Sequence, residues 1–140
     1  MHAGSVAVAA VFVWLGMVLA ISFLEAPLKF RAPGVTLQVG LGIGRLVFRA
    51  LNGCELVLGT VIVISLVMAP QAPEAVVAAA TAGVALLAQI LAVRPALNRR
   101  SDAVLAGTAG PRSHAHLWYV ALEVVKVIAL ITAGVLLLTR

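Results

Sequence analysis

An all-α, polytopic integral membrane bundle of four helices, with both termini on the extracytoplasmic side, is predicted by three features of this 140-residue sequence. Hydrophobic residues make up 63% of the chain and charged residues only 11%, far from the roughly 45–50% and 25% of soluble domains. The apolar residues fall into four blocks, each near the ~20 residues that cross a hydrocarbon core. The bases flank those blocks: net charge is +5, yet no basic face for nucleic acid is formed, and the expected partner is the lipid bilayer. A single transmembrane domain over 1–140 follows, because the polar stretches between blocks are too short to fold separately.

The first helix is expected over about 3–26. Ala3 to Leu24 carries no charge, is longer than a signal-peptide core and lacks a basic segment before it. Glu25 then ends the helix at the interface, Pro27 and Pro33 stop it, and Lys29 and Arg31 anchor the turn beside headgroups. The second helix, about 44–69, is entered through Gly40, Gly42 and Gly44, read as a pliable connection. The third covers about 74–94, with Ala75–Val93 uncharged. The fourth, about 116–139, contains Glu123 and Lys126, and Trp118 and Tyr119 at its start suit an interfacial aromatic belt.

Orientation follows from the bases. Lys29, Arg31, Arg45 and Arg49 lie in or beside the first connection, and Arg94, Arg99, Arg100 and Arg112 in the third, whereas the second, "APQAPE", has none. The basic side is read as cytoplasmic, which places a multi-pass protein in the inner (plasma) membrane.

The candidate site is built from charges inside the spans. Arg45, Arg49, Asn52 and Glu55 recur at helical spacing and share one stripe. At 1.5 Å per residue, Glu55 and Glu123 both lie about 9–10 Å inside the basic surface, and Lys126 about 15 Å inside. A charge at such depth costs about 2.5–3.5 kcal/mol on insertion scales, so each should face the bundle interior with a partner. Glu123 and Lys126 can pair on their own helix, which leaves Glu55 over. Two carboxylates against one ammonium leave a negative charge for Arg49, a bound cation or a proton to balance. Glu55, Glu123, Lys126 and Asn52 are therefore the expected solute- or proton-binding residues. Glu25 with Arg45 or Arg49 is the expected gate above them.

Other motifs carry less. "QVGLG" (38–42) has no pore helix before it, and Gly-x-Gly-x-Gly follows no strand. His114 and His116 are two apart, so on a helix they point to different faces; no metal site and no cofactor is expected. The single Cys54 cannot form an internal disulfide. No nucleophile stands with a positioned base, so catalysis is not expected. Small residues recur every four positions at Ala75, Ala79 and Gly83, at Ala78 and Ala82, and at Gly16 and Ala20. They suit packing within the bundle, a homodimer, or both.

The segments "WLG", "EAPLKF" and "GRLVFRALN", with a basic, His-containing entry to the last helix, resemble a class of small four-helix bacterial membrane proteins of uncharacterised function. That class is loosely similar to copper-resistance membrane domains and to a eukaryotic membrane protein associated with platinum-drug resistance. The resemblance is carried by Gly16, Ala26, Pro27, Phe30, Gly44, Arg45 and His116. Where it implies a Ser and an Asn after the histidine, this chain has Ala121, Glu123 and Lys126. The chain is also similar to small multidrug transporters, which have four helices, a carboxylate in the first and a homodimeric assembly; Glu55 or Glu123 would take that chemical role. The expected activity is binding or transport of a small cationic or protonated solute through buried carboxylates. The alternative is a scaffold or accessory subunit whose charges fix helix packing.

The topology is testable in a background without Cys54. A cysteine within residues 70–73 should react with an impermeant thiol reagent added outside intact cells, and Ser101→Cys should not; the reverse labelling would overturn the orientation.

Overall fold

Hydrocarbon offers the backbone no water, so each apolar block must satisfy its own peptide groups by forming a helix. The computed structural model describes residues 2–107 and 114–139. Helix α1 spans Ala3–Lys29, α2 Leu37–Met68, α3 Pro73–Leu105 and α4 His114–Leu138, each long and apolar enough to cross a membrane. Among the described residues there is no strand. Arg112 lies outside them.

The helices are longer than the sequence reading allowed, for identifiable reasons. Helix α2 begins at Leu37 rather than near residue 44, because Thr36 caps it: its Oγ1 accepts the Val39 N–H at 3.1 Å. The glycines taken for a pliable entry are inside that helix. At Gly40 the need is for space, since a Cβ there would stand 2.1 Å from Phe30 Cε1. Left-handed backbone is needed instead at Gly34, in the turn before α2, with φ +83°, and at Gly107 after α3, with φ +85°.

Pro27 does not stop α1, and Pro95 does not stop α3. A proline lacks the N–H and its ring presses on the carbonyl four residues back. In both helices a π-helical segment, Leu19–Glu25 or Gln89–Val93, immediately precedes the proline-bearing turn. The Ala26 N–H donates to Ile21 C=O and the Arg94 N–H to Gln89 C=O, each five residues back. The widened turn makes room for the ring, and the helix continues. Helix α3 thereby carries Arg94, Arg99 and Arg100, expected in a loop, through to Leu105.

Helix α1 packs along α2 and α4, and α3 packs chiefly on α4, while α2 and α3 meet only sparsely. Ala7, Ala10, Val11, Trp14 and Val18 form the inner face of α1, against Ile62, Leu86, Ala129, Leu130, Ala133 and Leu137. Ala75, Ala78 and Ala82 are buried in the same core, so this small-residue face is used within the chain for close approach of helices. Large apolar side chains such as Val57, Val67, Leu91 and Ile128 point outward. Trp118 does so too, as an interfacial residue should, but Tyr119 is turned inward and buried. The bundle is thus layered along its length. An apolar core fills the half near the termini, a charged cluster lies next, and a cavity occupies the basic end.

Candidate functional site: an ion cluster beneath a basic cavity

Lys126 is fully buried and binds both carboxylates. Its Nζ bridges to Glu55 Oε2 and lies 2.6 Å from Glu123 Oε1. It also donates to Gln89 Oε1 at 2.8 Å. An ammonium has three donors; two go to Glu55 and Gln89, and Glu123 lies within ion-pair distance. Glu55 is therefore not left over; α2 and α4 meet through the same cation.

Each carboxylate is held further. Trp14 Nε1–H donates to Glu55 Oε2 at 2.7 Å, Gln89 Nε2 to Glu123 Oε1 at 2.8 Å, and Ser22 Oγ–H to Glu123 Oε2. All four helices contribute: Trp14 and Ser22 from α1, Glu55 from α2, Gln89 from α3, Glu123 and Lys126 from α4. The two π turns matter here, since they contain Ser22 and Gln89 and so set the rotation at which these side chains face the cluster. Beside the cluster, two buried oxygens have no hydrogen-bond partner, Glu55 Oε1 and, one helical turn earlier, Asn52 Oδ1; Glu25 Oε2, nearer the basic end, is a third among the described residues. With both carboxylates ionised, the cluster carries one formal negative charge.

On the basic side of the cluster lies a cavity of about 200 Å³. Glu123 and Ser22 are shared between the two. Lys29, Arg45 and Arg94 line it, with Phe30, Phe48 and Tyr119. Arg94 donates to the Tyr119 hydroxyl at 3.0 Å and stacks 4.8 Å from that ring's centroid. Phe48 meets Tyr119 edge-on, with centroids 5.7 Å apart. Ala26, Phe30, Gly44, Arg45 and His116 line this cavity from three helices.

The gate expected between Glu25 and Arg45 or Arg49 is not formed. Glu25 lies 3.8 Å from Lys29, one turn along its own helix, and Arg49 is exposed. Arg45 is taken by Asp102 at 2.6 Å, a partner available only because α3 continues past Pro95. That pair ties α2 to the α3 extension at the cavity rim. His114 and His116 are both exposed, and among the described residues no group of three His, Cys, Asp or Glu side chains is placed to hold a metal.

Trp14, Ser22, Gln89, Arg94 and Tyr119 join the site without having been singled out as members of it. Gln89 had a legible signal, an amide inside an uncharged span where each unsatisfied polar group is costly. Trp14 had another, an indole N–H at mid-helix rather than at an interface. Comparison with family models, with curated proteins and with solved structures found no match, so the reading of this site rests on its own geometry.

Removal of the shared cation should strand two carboxylates. Lys126→Met is expected to destabilise the protein by about 3–5 kcal/mol in an unfolding assay in lipid or detergent. Combining it with Glu55→Gln or Glu123→Gln should recover part of that loss. Strictly additive losses in both double variants would contradict the shared pairing.

Proposed function

We propose that the protein binds a small solute in the basic-end cavity and couples its occupancy, or its passage across the membrane, to a proton carried by the Glu55–Glu123 pair. The observation that carries this reading is the mismatch of two buried carboxylates with one ammonium, one of those carboxylates reaching the cavity wall. A charge left unbalanced in such surroundings is costly, and a proton is the smallest cation able to remove it. An organic cation fits less well, because both Glu123 oxygens and Glu55 Oε2 already accept hydrogen bonds. Glu55 Oε1 stands without a hydrogen-bond partner, on the same helix face as Asn52 Oδ1. A proton on Glu55 Oε1 would turn one of two bare acceptors into a donor. Glu123 transmits the state of the pair to the cavity. With the basic end on the cytoplasmic side of a plasma membrane, the cavity would be loaded from the cytoplasm.

A second reading has its own support. Lys126 binds side chains of α2, α3 and α4, and α1 joins through the glutamates, which is also what a clamp that fixes helix register requires. In that case the charges hold an accessory subunit together and nothing titrates.

Infrared difference spectroscopy separates the two. On pH titration in lipid, a protonated-carboxyl band is expected that Glu55→Gln or Glu123→Gln removes or shifts while the protein stays folded. If no titrating carboxyl band depends on either residue, and both variants simply unfold more readily, the proton reading fails and the clamp stands.

A further inference from the structure

The cavity above the cluster has more positive charge than its own walls compensate. Of its charged side chains, Arg45 is paired with Asp102, and Glu123 with Lys126. Lys29 is nearly buried, and its only ion pair among the described residues is the 3.8 Å approach to Glu25, longer than a hydrogen bond. Arg94 makes no ion pair among the described residues, and its Nε is buried without a hydrogen-bond acceptor. These two cations stand against one ring: Lys29 Nζ is 5.8 Å and Arg94 Cζ 5.3 Å from the Phe48 centroid. Much of the remaining wall is apolar, including Phe30, Leu41, Leu97 and Val120. The space, about 200 Å³, equals roughly six or seven water volumes at ~30 Å³ each.

We infer that this cavity binds a small organic monoanion, a carboxylate on a ring or short chain, with its oxygens between Arg94 Nε and Lys29 Nζ and its apolar part against Phe48. A guanidinium edge with a free N–H is suited to a carboxylate, and the aromatic walls accept a ring. An organic cation would face Lys29 and Arg94, neither neutralised by a hydrogen-bonded carboxylate among the described residues. The inference rests on the proposed proton coupling in one respect only, the charge balance. The charged groups around cavity and cluster are Lys29, Arg45, Arg94 and Lys126 against Glu25, Glu55, Asp102 and Glu123, four of each sign, and His116 and Tyr119 are the other titratable side chains on the cavity wall. A monoanion entering alone leaves this set negative by one, and a proton on the Glu55–Glu123 pair restores neutrality. Anion and proton therefore bind together, meeting at Glu123.

The test uses the full-length protein in phosphatidylcholine nanodiscs, with benzoate as probe and benzyl alcohol and benzylammonium as its neutral and cationic counterparts. Equilibrium dialysis should show saturable benzoate binding at least tenfold tighter than benzyl alcohol, with none for benzylammonium. Arg94→Gln should weaken benzoate at least tenfold. Lys29→Gln should weaken it too, and serves alone if the Arg94 variant does not fold. In a His116→Gln background, which removes the imidazole from the cavity wall, and while benzoate stays ionised, each unit fall in pH should raise its affinity, up to tenfold for one coupled proton. Equal binding of benzoate and benzyl alcohol, tighter binding of benzylammonium, or benzoate binding unchanged by both variants overturns the anion site. Benzoate binding that both variants weaken but pH leaves unchanged keeps the site and instead removes the coupling, so the two ideas fail separately.

Discussion

One ammonium between two carboxylates, all three buried inside the bundle, is the constraint from which the rest of this structure follows. Lys126 can meet Glu123 from its own helix, but it meets Glu55 only if α2 and α4 lie at one depth and one rotation. Trp14, Ser22 and Gln89 then add the remaining helices. Apolar packing between membrane helices tolerates sliding and rotation, because lipid tails solvate a leucine as well as another helix does. A buried ion cluster tolerates neither, since each displaced oxygen loses a charge-assisted partner it cannot replace from solvent.

Placement of the neutral members of the cluster depends on the paired π turns. Both precede a proline, both end on a hydrogen bond five residues back, and both contain a polar side chain that reaches Glu123. A regular α-helix would carry Ser22 and Gln89 at a different rotation relative to the residues beyond the bulge. The proline and the wide turn act together: the turn accommodates the ring, and the ring's missing N–H removes a reason for the turn to tighten. Beyond each bulge the helix carries a base to the cavity wall, Lys29 on α1 and Arg94 on α3, and both stand near the Phe48 ring.

Cluster and cavity are electrostatically one system. Glu123 belongs to both, and Tyr119, one turn before it on α4, links Arg94 to the same helix face through its hydroxyl. In such a low-dielectric setting the charge state of one part alters what the other can hold. The proposed proton and the proposed anion are the two complementary expressions of that coupling. The clamp reading describes the same contacts with the coupling left unused.

The sequence by itself determined the class of the fold, the number of spans and which charges lie deep. Composition, block length and the position of Glu55, Glu123 and Lys126 within apolar runs are local facts, and hydrocarbon makes local helix formation compulsory. Helix ends were less legible. Pro27 and Pro95 normally signal termination, and only a π turn, which leaves no clear mark in composition, lets the helices continue. The partners were decided by tertiary structure alone. Glu25 was expected at Arg45 and lies by Lys29, while Arg45 finds Asp102. Lys126 takes both glutamates rather than one, and Tyr119 turns inward while Trp118 stays out. The physical reason is that spacing along a helix fixes which side chains share a face, whereas the rotation and depth at which four faces meet arise only when all of them satisfy one buried cation together.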